Sequence, residues 1–266
     1  MTSDLPNLGN APLLVGYAGL LGAVIGSFLN VCILRWGAEP KQSVVHPPSR
    51  CPTCGQRLRW YDNIPVLSWL VLGGKCRGCR TPISPQYPLI ELTVALIWAF
   101  MAWRHGFGLE ALRGAVFATI LLGIAMTDAR AYLIPDEFSV GGLVLGLAFA
   151  LAAGRQALGV ALLGGAVGFG LLWLVAVLGE AMFKQEAMGG GDIKMMAMVG
   201  AFLGWQGTLL TVFLGALIGT LVFVPLTLMG HRKLVPFGIF LALGAAATYL
   251  VGPAILAWYG GYVAGA

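Results

Sequence analysis

Runs of about 20 apolar residues recur from one end of this chain to the other, and that repetition restricts its fold more than any other feature. A helix of that length crosses the roughly 30 Å hydrocarbon core of a bilayer, where every backbone polar group must be satisfied internally. Apolar windows predict spans near 12–34, 89–103, 113–127, 139–153, 157–179, 193–204, 208–229 and 237–258. The expected fold class is therefore an all-α polytopic membrane protein with about eight transmembrane helices. With 58% hydrophobic and only 10% charged residues, a soluble globule is excluded. The second, third, fourth and sixth windows are short for a full crossing, so their ends are the loosest part of the expectation.

The first 34 residues hold no Lys or Arg, so the opening apolar segment lacks the basic start of a cleavable secretory signal and reads as a retained span. Basic residues concentrate in cytoplasmic loops. Placing the loop 35–88 inside puts its eight Lys and Arg, together with Arg130, Lys184, Lys194, Arg232 and Lys233, in the cytoplasm. Only Arg104, Arg113 and Arg155 then fall outside. Both termini become extracytoplasmic, and the carboxylates described below face the cytoplasm.

The net charge of +5 is thus mainly a topology signal, and no nucleic acid partner is expected, because the basic residues have no soluble domain built around them. Gly142-Leu143-Val144-Leu145-Gly146 and Gly164-Gly165-Ala166-Val167-Gly168 allow close helix approach. Neither follows a strand, so they are not read as dinucleotide sites.

Residues 35–88 form the one sizeable polar stretch and carry Cys51-Pro52-Thr53-Cys54 and Cys76-Arg77-Gly78-Cys79, with 21 residues between the pairs. Two tight turns, each offering two thiolates, suit a tetrahedral ion, and zinc is the candidate. Two disulfides or four free thiols are the alternative, and a reducing cytoplasm disfavours the disulfides. Four thiolates leave no open coordination position, so Cys51, Cys54, Cys76 and Cys79 point to a structural metal that contributes to folding a loop with few apolar residues. Cys32 lies inside the first span and reads as a small packing residue. The domain organisation expected is an N-terminal transmembrane helix over 1–34, the zinc-binding loop over 35–88 and a membrane-embedded unit over 89–266.

Two carboxylates stand at the predicted cytoplasmic ends of spans. Asp128 stands in Met126-Thr127-Asp128 and Asp192 in Gly189-Gly190-Gly191-Asp192-Ile193-Lys194. A carboxylate near hydrocarbon costs about 2.5–3.5 kcal/mol on insertion scales, which makes such residues functional candidates.

Several segments, in order, carry a resemblance. They are Ser27-Phe28-Leu29-Asn30-Val31, the two cysteine pairs, Trp60-Tyr61-Asp62-Asn63-Ile64-Pro65-Val66-Leu67-Ser68-Trp69, Tyr87-Pro88-Leu89-Ile90-Glu91, Asp128 with Ile134-Pro135-Asp136, and the glycine-aspartate segment ending at Lys194. From about residue 20 to 205 the chain resembles the bacterial type IV prepilin peptidases. The resemblance implies a GxGD-type aspartic protease that removes the basic leader from type IV prepilins or type II secretion pseudopilins. It also implies N-methylation of the new terminus with S-adenosylmethionine. Carried across, the catalytic aspartates fall on Asp128 and Asp192.

An aspartyl pair supports such chemistry, because one carboxylate activates water while one carboxylic acid protonates the carbonyl oxygen. The glycines before Asp192 are expected to permit unusual backbone angles and close approach of substrate. Pro135 should stop a helix near Asp136, which reads as a cap or turn residue rather than a third catalyst. Asp128, Asp136, Glu137, Glu180, Glu186 and Asp192 outnumber nearby Arg130, Lys184 and Lys194, a balance that could draw a basic leader. Glu91 reads as a partner for Arg80 or Arg35, and Asn30 as an interhelical hydrogen-bond donor. The competing classes are a transporter, which also uses broken helices and intramembrane acids, and a noncatalytic assembly factor with a structural zinc domain.

Overall fold

The computed structural model describes residues 11–185, 188–229 and 236–265, which are mostly helical, with short turns between helices and one longer loop after the first span. The helices are α1 (Ala11–Trp36), α2 (Leu67–Val71), α3 (Gln86–His105), α4 (Leu109–Ala131), α5 (Asp136–Ala153), α6 (Arg155–Phe183), α7 (Gly190–Leu228) and α8 (Phe237–Gly265). All but α2 are long and apolar enough to cross a membrane. The outward Leu, Val and Phe side chains that these helices expose are what a lipid solvent requires. The chain is a multi-pass membrane protein in an all-α fold. It divides into two compact units, residues 1–119 and 120–266, with α4 running from one into the other.

In the first unit, α1 and α3 run antiparallel along a stripe of small residues. A Cβ on Gly26 would stand 2.8 Å from the Glu91 Cα, and one on Gly22 would stand 2.7 Å from the Val94 carbonyl oxygen. Asn30 Nδ2 donates to the Tyr87 carbonyl at 3.1 Å and so ties α1 to α3, the interhelical role expected of it. Trp98 Nε1 donates to Thr119 Oγ1 at 3.1 Å and ties α3 to α4.

In the second unit the first part of α7 is the core, with every residue from Met195 to Phe202 buried. Gly164 and Gly168 of α6 meet the backbone of Gly200 and Met196, while Gly142 and Gly146 of α5 receive Met198 and Phe202. Packing this close replaces the hydrophobic drive that is absent between helices in lipid.

Seven long helices stand where eight spans were expected, and the difference lies in α7. Its 39 residues would reach roughly 58 Å as one rod, about twice a bilayer core. Gly204 interrupts it at φ 70°, ψ 175°, a conformation open essentially to glycine alone. The surroundings show that the chain turns back there. Gly191 and Gly238 both pack on Ile134, yet Phe240 lies against Gly215. In a continuous helix residues 191 and 215 would be about 36 Å apart. The two segments correspond to the predicted windows 193–204 and 208–229. Gly154 makes a similar one-residue reversal between α5 and α6 at φ 121°, ψ 169°.

Candidate active site and metal centre

The fold brings Asp128 and Asp192 together. Asp128 is in the last turn of α4 and 5% exposed, and Asp192 lies in the first turn of α7, close enough for the two carboxylates to interact electrostatically. Asp128 Oδ2 and Asp192 Oδ1 are buried without a hydrogen-bond partner. Such orphaned oxygens cost free energy at rest and are explained most simply by a water or substrate that engages them.

Each carboxylate stands beside a helix N-terminus, although Asp128 is itself carried on the C-terminal turn of α4. Asp192 occupies the first turn of its own helix, and the amides of Gly238 and Ile239 at the start of α8 face Asp128. Free N–H groups and the positive end of the helix dipole favour negative charge at these places. A Cβ on Gly238 would stand 2.6 Å from Asp128 Oδ2, so the absence of a side chain lets the amide come this near. Residues 236–239 were not among the expected site residues. Their signal was a Pro236-Phe237-Gly238 start to an apolar run, a helix-opening pattern with nothing local to connect it to Asp128.

Ile134 packs the site from the turn after α4. Its Cβ would lie 2.9 Å from a Cβ on Gly191, and its Cδ1 lies 2.8 Å from where a Gly238 Cβ would stand. The expectation that the glycines before Asp192 supply unusual angles needs correction. Gly189 has φ −68°, ψ 138°, Gly190 and Gly191 are already helical, and none of the three has a positive φ. The close approach the structure shows at these glycines is that of Ile134 to Gly191, a packing contact within the chain rather than the substrate approach expected of them. Pro135 rather than Asp136 is the N-cap of α5, with no side-chain cap hydrogen bond, and Asp136 is the first helical residue, so the cap role expected of it is not the one it takes. Its carboxylate holds Lys194 Nζ at 2.8 Å, two residues beyond Asp192, and so fastens α5 to α7. This pair removes Asp136 from any uncompensated acidic field. Glu180 is exposed, and Glu186 lies outside the described residues.

In the first unit the four cysteines converge. The sulfurs of Cys51, Cys54, Cys76 and Cys79 all lie within 4.8 Å of one another, with Cys51 and Cys79 at 3.8 Å. Four sulfurs about 2.3 Å from one ion in a tetrahedron stand about 3.8 Å apart, so the donor set fits zinc. Two matching turns build it. Cys51 N donates to Gln56 O and Gly55 N to Cys51 O, while Cys76 N donates to Thr81 O and Arg80 N to Cys76 O. Single β-bridges, Arg50 with Arg57 and Lys75 with Pro82, close the two turns. The equivalent positions Gly55 and Arg80 are both left-handed, at φ 73° and 60°.

The thiols are unequal. The Thr81 hydroxyl and amide lower Cys79 to about 6. The amides of Cys54 and Thr53 lower Cys51. At Cys54 the Gln56 amide works in the lowering direction, but burial and the neighbouring sulfurs push the group up to about 11. Cys32, outside this cluster, is buried in α1 as a packing residue should be. Glu91 does not pair with Arg80 or Arg35 as expected. Its Oε2 accepts the Val66 amide at 2.7 Å, because Val66 opens α2 and that N–H has no partner within the helix.

Known proteins match over both units. Residues 20–105 match the bacterial peptidase A24 N-terminal domain, and residues 115–224 match the type IV leader peptidase family. A prepilin leader peptidase/N-methyltransferase of Pseudomonas aeruginosa is 37% identical over 90% of this chain and 91% of its own length. The chain belongs to the type IV leader peptidase family.

Further members agree. A prepilin leader peptidase/N-methyltransferase of Aeromonas hydrophila is 35% identical, again over 90% of this chain and 91% of its own length. One of Myxococcus xanthus is 40% identical over 83% of the chain, which spans 65% of that relative. No solved structure matches. The match to the leader peptidase family contains both aspartates, and the match to the N-terminal domain contains all four cysteines.

Proposed function

We propose that this leader peptidase family member is a bifunctional membrane enzyme that cleaves the leader from prepilins and N-methylates the exposed terminus, with Asp128 and Asp192 as the hydrolytic pair. The observation that carries the reading is the convergence of two carboxylates from α4 and α7, each with a buried, unpartnered oxygen, in a member of this family. Prepilins are the substrates of the relatives by name. Pseudopilins of type II secretion are the related substrate class.

One aspartate, as carboxylate, takes a proton from water, and the resulting hydroxyl adds to the scissile carbonyl. The other, as carboxylic acid, protonates the carbonyl oxygen; collapse of the tetrahedral centre then passes a proton to the departing amine. The amides of Gly238 and Ile239 at the start of α8 favour negative charge on Asp128 through this cycle. The described acids and their ion pair place a mixed rather than a purely negative rim at this end of α5 and α7.

Zinc held by Cys51, Cys54, Cys76 and Cys79 would be structural, linking the two turns of the 35–88 domain. The relatives' N-methyltransferase name implies S-adenosylmethionine as methyl donor; no residue here is assigned to it. We place the enzyme in the inner membrane with the aspartates on the cytoplasmic side. With α7 counted as two crossings, both termini are extracytoplasmic. The organisation proposed is a first span over 1–34, the metal domain over 35–88 and the peptidase over 89–266. A transporter reading fits less well, because the paired acids lie at helix ends rather than midway along them.

The test is to incubate purified protein with a prepilin and labelled methyl donor while following leader loss and label transfer. Leader loss with labelling supports both activities. Leader loss without labelling removes the second, and no leader loss with an intact protein removes the first.

A further inference from the structure

The 35–88 domain carries an apolar ribbon that its own fold leaves uncovered. Trp60 is 79% exposed and Val71 82%, and Ile64, Leu67 and Leu70 are exposed between them. Leu67, Leu70 and Val71 have the spacing of one helical face on α2. Trp69, on another face, turns inward, donates from Nε1 to the Ile83 carbonyl at 3.1 Å and packs on Gly74. The helix is therefore anchored by one side and leaves the other bare.

Its height relative to the membrane helix is set by two ties. Glu91 is the sixth residue of α3, about 8 Å along that helix, and it holds the amide of Val66 at the start of α2. Ile83, three residues before α3, is held by Trp69 and by the Gly74 carbonyl at 2.7 Å. The bare face thus lies level with the first turns of a transmembrane helix whose Leu89 and Leu92 are themselves exposed. Around it the domain is basic. Residues 35–88 carry eight Lys and Arg against Glu39 and Asp62, and Arg50, Arg57, Arg59, Lys75, Arg77 and Arg80 are exposed. Asp62 is already paired with Arg77 at 2.8 Å.

We propose that Trp60, Ile64, Leu67, Leu70 and Val71 form a membrane-docking surface that seats the four-cysteine domain on the adjoining anionic phospholipid leaflet. An apolar helix face with basic flanks lies in the plane of such a leaflet about 5–10 Å into the headgroup and acyl boundary, and an interfacial Trp suits the same depth. The occupant is lipid rather than a protein partner because the Val66–Glu91 and Trp69–Ile83 ties hold the ribbon's segment beside the first turns of α3, a helix long and apolar enough to cross the membrane. The surrounding charge is opposite to that of the leaflet. Docking of this kind limits the motion of a domain otherwise held through its two chain ends and the Val66–Glu91 hydrogen bond.

The full chain can be placed in nanodiscs whose phospholipids carry bromine at shallow or deep acyl positions. The Trp60 signal is obtained as the fluorescence difference between the wild type and Trp60→Phe. Shallow bromine should quench Trp60 more than deep bromine, more strongly with phosphatidylglycerol present than in phosphatidylcholine alone. Val71→Glu, at a position with no packing to lose, should abolish that quenching and shift the emission to the red. A Trp60 signal that stays solvated in both lipids would return the ribbon to a protein partner and overturn the proposal. Quenching equal in the two lipids, or unchanged by Val71→Glu, would overturn it as well.

Discussion

Asp128 and Gly238, 110 positions apart in sequence, meet so closely that a Cβ on the glycine would stand 2.6 Å from the carboxylate Oδ2. The contact brings the N-terminal amides of α8 onto a side chain from the end of α4. With Asp192 at the start of α7, it makes a site from three helix ends, the C-terminus of α4 and the N-termini of α7 and α8, in which the α8 amides face Asp128.

Replacing either aspartate tests the pair directly. Asp128→Asn and Asp192→Asn should each insert in the membrane and lower leader cleavage by on the order of 10²–10⁴-fold, the range of a lost general acid or base. Processing of a prepilin followed on gels checks this. Near-normal cleavage by either variant would disprove the dyad.

The neighbouring glycines should differ sharply. A Cβ on Gly191 meets Ile134 Cβ at 2.9 Å, whereas one on Gly190 meets nothing within 4 Å. Gly191→Ala should therefore displace the start of α7 at a cost of about 1–3 kcal/mol and depress cleavage. Gly190→Ala should leave stability near that of the wild type. Thermal unfolding in detergent alongside cleavage rates separates the two.

Gly204 should tolerate no side chain. Its φ of 70° with ψ 175° is closed to other residues, so Gly204→Ala is expected to destabilise the protein by about 1–3 kcal/mol. Gly159→Ala, whose Cβ meets nothing within 4 Å, is the control. Comparable unfolding temperatures for the two would remove the sharp turn in α7.

The metal centre makes a compositional and a pH prediction. Purified protein should hold about one zinc per chain and lose it in Cys51→Ser or Cys76→Ser, measured by elemental analysis. Binding requires thiolates, so retention should fall as pH is lowered. In metal-stripped protein at neutral pH, Cys79, lowered to about 6, should be alkylated well before Cys54, raised to about 11, as mass spectrometry of labelled peptides can read.

Much of this was legible along the chain because lipid imposes a one-dimensional rule. Each crossing must be a helix of apolar residues, so hydropathy alone located every long helix, including both parts of α7. The cysteine pairs were equally readable, since each pair is closed by a local turn and only the meeting of the two turns is long-range. The acids stood out because a carboxylate near hydrocarbon is costly wherever it occurs.

What the sequence determined by itself was thus the helical class, the candidate aspartates and the candidate metal-ligand set, all set by local solvation and short spacing. Only the tertiary structure decided that α7 turns back at Gly204, that Glu91 holds Val66 rather than an arginine, and that α8 presents its amides to Asp128. Those outcomes depend on backbones approaching within van der Waals contact across long sequence separations. Glycine permits such approach, but its position in the chain does not say which helix will occupy the space.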